Sequence, residues 1–166
     1  IPFVVVGADL ESLPVTAVVQ DNTTGTIQAL EALAAQGHER IGVIVNDIPG
    51  SIHPVQRLAG YREFMLRSGR EDHGRWIISA PKDRGDLAVE AFLRLDPRPT
   101  ALFITSRGLL QGVWDGLRAA GIRVPQDLSL VVWGEPRPQD VTRGTEGLSH
   151  VAWSREEMGR LALAAL

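Results

Sequence analysis

Ile41-Gly42-Val43-Ile44-Val45, preceded by Gly37-His38-Glu39-Arg40 and continued by Asn46-Asp47, decides the fold class. Its five residues are all apolar or glycine. A strand with one wet face alternates polar and apolar residues, whereas a short unbroken apolar run is the pattern of a strand covered on both faces, as in a parallel sheet. Gly37 supplies a helix stop on one side. On the other side a helical pattern begins at Val55.

The same alternation extends in both directions. Further strands are expected at Phe3–Val6, Ala17–Val19, Trp76–Ser79, Ala101–Ile104 and Leu128–Trp133. Between them, apolar residues recur at spacings of three and four over Thr26–Ala35, Val55–Arg67, Asp86–Leu95 and Leu109–Ala120, the period of a helix with one buried face. Gly69 and Gly121 end the second and fourth helices as Gly37 ends the first, and Pro97, Pro99 and Pro125 separate helix from strand. The strand starts at Ile41, Trp76, Ala101 and Leu128 are 35, 25 and 27 residues apart, the length of successive βαβ units. The expected fold is therefore α/β, a doubly wound parallel sheet. Gly134–Gly147 is the longest irregular stretch.

Composition narrows the function. Of 166 residues 44% are hydrophobic, enough for a core, and the net charge of −3 leaves no basic excess for gripping a phosphate backbone. With no cysteine there is no disulfide, thiolate metal site or cysteine nucleophile, and a cytoplasmic protein is expected. No apolar run is long enough to span a membrane, so no membrane partner is expected. The chain opens on Ile1 in a buried-strand pattern and ends in a helical pattern from Glu156 to Leu166, which reads as a segment of a longer protein.

Ligands of a doubly wound sheet bind outside the carboxyl ends of the strands. Those ends carry Gly7-Ala8-Asp9, Asn46-Asp47, Ser79-Ala80, Thr105-Ser106-Arg107 and Trp133-Gly134-Glu135, and Arg57 points to the same edge. Arginine forks and carboxylates hydrogen-bond hydroxyls or anions, and indole faces pack on sugar or base rings. Asp9, Arg57, Ser106, Arg107, Trp133 and Glu135 are thus candidate ligand-binding residues. His53, the histidine nearest that edge, joins them. His38 follows a helix end, where capping carbonyls is the structural role. No phosphate-binding glycine loop and no nucleophile elbow is present, and the histidines lack metal-ligand spacing. No cofactor, metal or catalytic residue is expected; Asp47 with His53 is the only acid–base sketch for an enzyme. Leu110, Val113, Trp114 and Leu117 form an apolar face wide enough to cover both the sheet and a partner subunit, with Leu110 and Trp114 as the interface candidates; ordinary core is the other reading.

Asp21-Asn22-x-x-Gly25, Gly37-His38-Glu39-Arg40-Ile41, Arg57-Leu58-Ala59-Gly60-Tyr61-Arg62, Pro99-Thr100-Ala101-Leu102-Phe103 and, above all, Gly121-Ile122-Arg123-Val124-Pro125-Gln126-Asp127-Leu128-Ser129-Leu130-Val131 resemble, in order and spacing, the repressors of the LacI/GalR type. The resemblance runs on through Glu157-Met158-Gly159-Arg160 and covers essentially the whole chain. It implies two similar α/β subdomains, like periplasmic sugar-binding proteins, with an effector between them. It also implies a homodimer and an N-terminal helix-turn-helix headpiece that contacts operator DNA. The headpiece would be absent from this chain. Residues 1–20 would end the N-terminal subdomain, 21–149 would form the C-terminal subdomain, and 150–166 would cross back, making Trp153 at that crossing a further candidate ligand-binding residue, and begin a returning helix.

Arg57 matches the arginine that contacts the effector in such repressors. The departures are informative. Ser106-Arg107 stands where the family usually has Asn-Asp, Val132-Trp133-Gly134-Glu135 where it has Gly-Phe/Tyr-Asp-Asp, and Gly7-Ala8 where it has Asp-Arg. Three acids that commonly bind sugar hydroxyls are missing, with Glu135 and Asp9 as the available replacements, and Arg107 reverses a charge. The expected effector is a sugar, a sugar acid or a sugar phosphate, and the two arginines favour the anions; a sensor without a small ligand also fits. A transporter's solute receptor shares the fold and is the main rival reading.

Overall fold

A computed structural model describes residues 2–7, 13–70, 73–135 and 147–166. Asp9 and most of Gly134–Gly147 lie outside the described residues. The chain divides into two units, 1–21 with 152–166 and 22–151, against the expected divisions after residues 20 and 149.

In the smaller unit, β1 (Val5–Val6) pairs in parallel with β2 (Ala17–Val18). Here α5 (Arg155–Ala164) is N-capped by Ser154, whose Oγ accepts from the Glu157 N–H at 3.0 Å. None of α5's residues is buried, and Leu161 and Leu163 are exposed.

The larger unit contains α1 (Asn22–Ala35), β3 (Ile41–Asp47), α2 (Ile52–Arg67), β4 (Ile77–Pro81), α3 (Gly85–Leu93), β5 (Ala101–Ile104), α4 (Leu110–Ala119), β6 (Ser129–Trp133) and β7 (Ser149–Val151). Its five strands run in the order β4-β3-β5-β6-β7, all parallel, which is the expected doubly wound sheet. Successive side chains of a strand point to opposite faces. Ile44, Ile78, Leu102, Ile104, Leu130 and Val132 accordingly form one core cluster with Ala88, Val89 and Phe92 of α3 and Leu110, Val113 and Leu117 of α4. The alternate residues Ile41, Val43, Phe103 and Trp133, equally buried, fall on the other face, where α1 and α2 pack together and contribute Leu30, Leu33, Tyr61, Phe64 and Met65. Coverage on both faces is why β3, β5 and β6 read as unbroken apolar runs.

The boundaries differ from the sequence expectation in instructive places. α1 begins four residues earlier than the apolar period suggests, taking in Gly25. Trp76 closes a short 3-10 turn, His73–Trp76, and the strand begins after it. The short β7 is a strand without an apolar run, since Ser149 and His150 are exposed at the sheet edge. Gly37, Gly69 and Gly121 all have positive φ, as a helix stop of this kind requires. His38 has a structural role, though not on helix carbonyls: its ring nitrogens lie 2.9 Å from Thr100 Oγ1 and 2.9 Å from Ser129 Oγ, bridging the entries to β5 and β6.

Arg123 and Asp127 explain part of the Gly121–Val131 pattern. The Asp127 carboxylate accepts from the Arg123 backbone N–H at 2.9 Å and from its guanidinium at 2.8 Å, closing the loop that feeds β6. Those hydrogen bonds hold the carboxyl down at about 2.

Glycine also sets the α3–α4 contact. A Cβ on Gly85 would lie 2.2 Å from the Leu109 carbonyl oxygen and 2.5 Å from the Val113 nitrogen, and one on Gly112 would lie 2.8 Å from the Asp86 nitrogen. The two helix starts touch backbone to backbone, so no side chain can yield. Gly85→Ala should therefore cost about 2–3 kcal/mol by overpacking. Thermal unfolding followed by circular dichroism checks this, and an unchanged Tm would show that the helices can separate freely.

Candidate effector site

The elements that reach the carboxyl edge of the larger sheet are fixed by direction. α1 precedes β3 and runs antiparallel to it, so its first residue, Asn22, lies at that edge; α2 follows β3 and starts there. Arg57, in the second turn of α2, is 8% exposed. Its Nε donates to Asn22 Oδ1 at 2.8 Å and its Nη1 to the Thr105 carbonyl at 2.6 Å. Its guanidinium lies 4.2 Å from the centroid of the Trp133 ring, a cation–π stack. No carboxylate pairs with it among the described residues. Burial without an opposite charge pushes its pKa down to about 9, which leaves it cationic at neutral pH.

Asn22, 2% exposed, organises this cluster. With Oδ1 accepting from Arg57, the amide orientation is set, and Nδ2 faces Gln56 Oε1 at 2.7 Å and His53 Nδ1 at 3.1 Å. His53 therefore accepts on Nδ1 and carries its proton on Nε2. A Cβ on Gly25 would lie 2.8 Å from Trp133 Cη2 and 3.4 Å from Val151 Cγ1. The Asp21-Asn22-x-x-Gly25 pattern thus has a physical content: an amide to hold Arg57 and, one helical turn later, a missing side chain that lets Trp133 in.

The other expected residues are placed as follows. Ser106 caps the 3-10 turn Arg107–Leu109, its Oγ accepting from the Gly108 N–H at 3.3 Å. Arg107 is half-buried and its Nη1 donates to the Glu135 backbone carbonyl at 3.1 Å; Glu135 is exposed. Trp133, 3% exposed, stands at the strand end as expected of its position and serves as the platform for Arg57. Half-buried Trp153 belongs to the smaller unit. The sketched acid–base pair is not formed: Asp47 is exposed and His53 is bonded to Asn22.

Leu110 and Trp114, the interface candidates, are 0% and 7% exposed and pack in the core of their own chain, which is the alternative reading of that face. Trp114 nevertheless lines a groove of about 610 Å³ with Leu117, Arg118, Ile122 and Val124, at the far end of α4 from the arginine site. Among the described residues no group of His, Cys, Asp or Glu could hold a metal ion, and no helix is long and apolar enough to cross a membrane.

The larger unit is thus a parallel α/β domain with a buried arginine at its strand ends that pairs with no carboxylate among the described residues. Residues 30–166 match the family described as periplasmic binding protein-like domain, and the chain belongs to that family. Among curated proteins it is 27% identical over 168 residues to the ribose operon repressor of Haemophilus influenzae, covering 100% of this chain and 50% of that protein. A LacI-family regulatory protein from Chloroflexus aggregans superposes with a TM-score of 0.84 at 26% identity, covering 98% of this chain and 58% of that one. The transcriptional regulator CelR in complex with cellobiose gives 0.80 at 30% identity, covering 100% of this chain and 51% of that one. The chain spans about half the length of the curated relatives it matches. Within the family it is of the LacI-regulator type.

Asn22 stands in the sequence only as part of the Asp21-Asn22-x-x-Gly25 pattern, and no role for its side chain is expected there. Its removal is a direct test of the cluster. Asn22→Ala leaves the Arg57 Nε without its acceptor in a buried position and should lower stability by about 1–3 kcal/mol. Urea unfolding measures this, and a loss below about 0.5 kcal/mol would show that water replaces the amide.

Proposed function

We propose that this chain is the effector-sensing and dimerising domain of a cytoplasmic bacterial transcription repressor, with operator DNA bound by a headpiece outside residues 1–166. The observation that carries the reading is the Arg57 cradle at the strand ends, in a chain whose curated relatives are repressors. Three further points support it. A net charge of −3 suits a domain that does not itself grip DNA. The smaller unit leaves Phe3, Leu161 and Leu163 exposed, which suits packing against further chain. The relatives are regulators, which favours sensing over catalysis and over a transporter's receptor.

The mechanism is allosteric. An effector that binds one arrangement of the protein better than another shifts the population by that difference and by nothing else. Arg57, positioned by Asn22 and Trp133, is the proposed anchor; His53, Ser106, Arg107, Glu135, Asp9 and Trp153 are the further proposed contacts. The proposed effector is a small carbohydrate-like molecule, like the cellobiose in the CelR complex.

The proposed homodimer places the α4 groove, with Trp114 and Arg118, at or beside the subunit contact. The full-length protein should sediment as a dimer and shift a DNA fragment from upstream of its own gene, while residues 1–166 alone should shift none. Arg118→Glu, a reversal at an exposed position on the groove, should weaken dimerisation at least about ten-fold by like-charge placement. Sedimentation equilibrium reads the change. A full-length protein that does not bind DNA would overturn the repressor reading, and an unaffected dimer in Arg118→Glu would move the interface off this groove.

A further inference from the structure

Arg57 presents a charge that no carboxylate among the described residues neutralises. A guanidinium has five N–H donors. One is given to Asn22 and one to the Thr105 carbonyl, which leaves three on Nη1 and Nη2. Among the described residues Nη2 has no hydrogen-bond partner, and it is not one of the fully buried unpartnered atoms. The side chain is more than nine-tenths buried, so this donor edge is an opening onto a desolvated cation.

The surroundings add to the positive potential. α1 and α2 both begin at this edge, and the turn that leads into α4 begins at Arg107, also at the edge. Helix N-termini concentrate unpaired N–H groups and the positive end of the helix dipole. No acidic residue occupies the first turn of any of these three elements. Of the carboxylates nearby, Asp21 directly before α1, Asp47 and Glu135 are exposed, and Asp83 lies at the turn after β4, with Oδ1 3.1 Å from the Cβ position of Gly108. None pairs with Arg57.

We infer that the effector is an anionic carbohydrate whose carboxylate or phosphate group pairs with the open Nη edge of Arg57. This rests on the reading of the chain as an effector sensor. A neutral hydroxyl docked on Nη2 would displace water and leave the buried cation still uncompensated. An anion supplies the missing charge and accepts two N–H bonds at once, which is the geometry a planar guanidinium favours. Trp133 holds the guanidinium plane from one face and Asn22 holds its Nε edge, so the remaining edge is presented in one orientation. Arg107, whose Nη1 is anchored two residues beyond Trp133 on the Glu135 carbonyl, places a second cation at the ends of the neighbouring strands.

The test uses the full-length protein and matched ligand sets: glucose with glucuronate and glucose 6-phosphate, galactose with galacturonate, ribose with ribose 5-phosphate, and inorganic phosphate alone. Isothermal calorimetry reads affinity. An acid or sugar phosphate is expected to bind at least about ten-fold tighter than its neutral parent, and its affinity should fall as KCl rises from 50 to 500 mM. The acid and phosphate arms distinguish the two sources of charge, and inorganic phosphate reports whether the anion suffices without the sugar. Arg57→Gln should lose about 100-fold or more; Arg57→Lys, which keeps the charge without the fork, should lose less. Should Arg57→Gln fail to fold, Arg107→Gln and the salt series on the unaltered protein still decide the matter. Neutral sugars binding as tightly as their acids and phosphates would overturn the inference and leave the sensor reading intact. No binding by any anion in the sets would overturn it as well. Failure of the full-length protein to bind DNA would instead count against the repressor reading, whatever the ligand results.

Discussion

A cation sits inside this domain with two of its five N–H donors bonded and no carboxylate paired with it among the described residues, and the architecture at the strand ends follows from holding it there. Desolvating a charge is expensive, and a partnerless buried ion is normally removed, paired or neutralised. Arg57 is instead held by an amide oxygen, a backbone carbonyl and an indole face. Each is a neutral group, so each orients the guanidinium without cancelling its charge. The lowered pKa records the same fact from the side of protonation: the environment disfavours the cation and offers no carboxylate to restore it.

That arrangement needs the helices to be close. α1 brings Asn22 to Arg57 only because it packs against α2 near contact distance, and a Cβ on Gly60 would lie 2.8 Å from the Thr23 carbonyl oxygen. The same helix admits Trp133 only because residue 25 has no side chain. Gly60 and Gly25 thus serve one end, the first by letting two backbones meet and the second by letting an aromatic ring under them. On the opposite face, Gly85 and Gly112 do the same for α3 and α4. The sheet is therefore clamped between two close helix pairs, and the arginine lies on the α1–α2 side, at the strand ends.

What could be read from the sequence follows from which signals are local. The strands β3, β5 and β6 are legible because both faces are covered, so every residue in the run is apolar. β7 has no such run because it is an edge strand with exposed side chains, and only its pairing with β6 makes it a strand. The early start of α1 is hidden by Gly25, which reads as a breaker until its contact with Trp133 is seen. Arg57 is legible from the strand-end rule. Asn22 is not, because its partners His53, Gln56 and Arg57 lie 31 to 35 residues away. Trp133 shows the limit most plainly: its position at a strand end is evident in the sequence, but that its face is taken by Arg57 depends on a third element. Leu110 and Trp114 show a related limit, since a wide apolar helix face looks the same whether a sheet or a partner covers it.

The cluster also has a particular address in the chain. The polypeptide passes between its two units at Asp21–Asn22 and at Val151–Ala152. Asn22, the first residue after one crossing, accepts the Arg57 Nε hydrogen bond. Val151, the last residue before the other, is register-paired with Trp133, the ring on which Arg57 stacks. The arginine is thus one contact from the first crossing and two from the second. A sensor requires that a ligand act differently on two arrangements of its parts. In the proposed sensing role, a ligand that changes the load on Arg57 acts first on Asn22 and Trp133, the residues beside the two chain crossings.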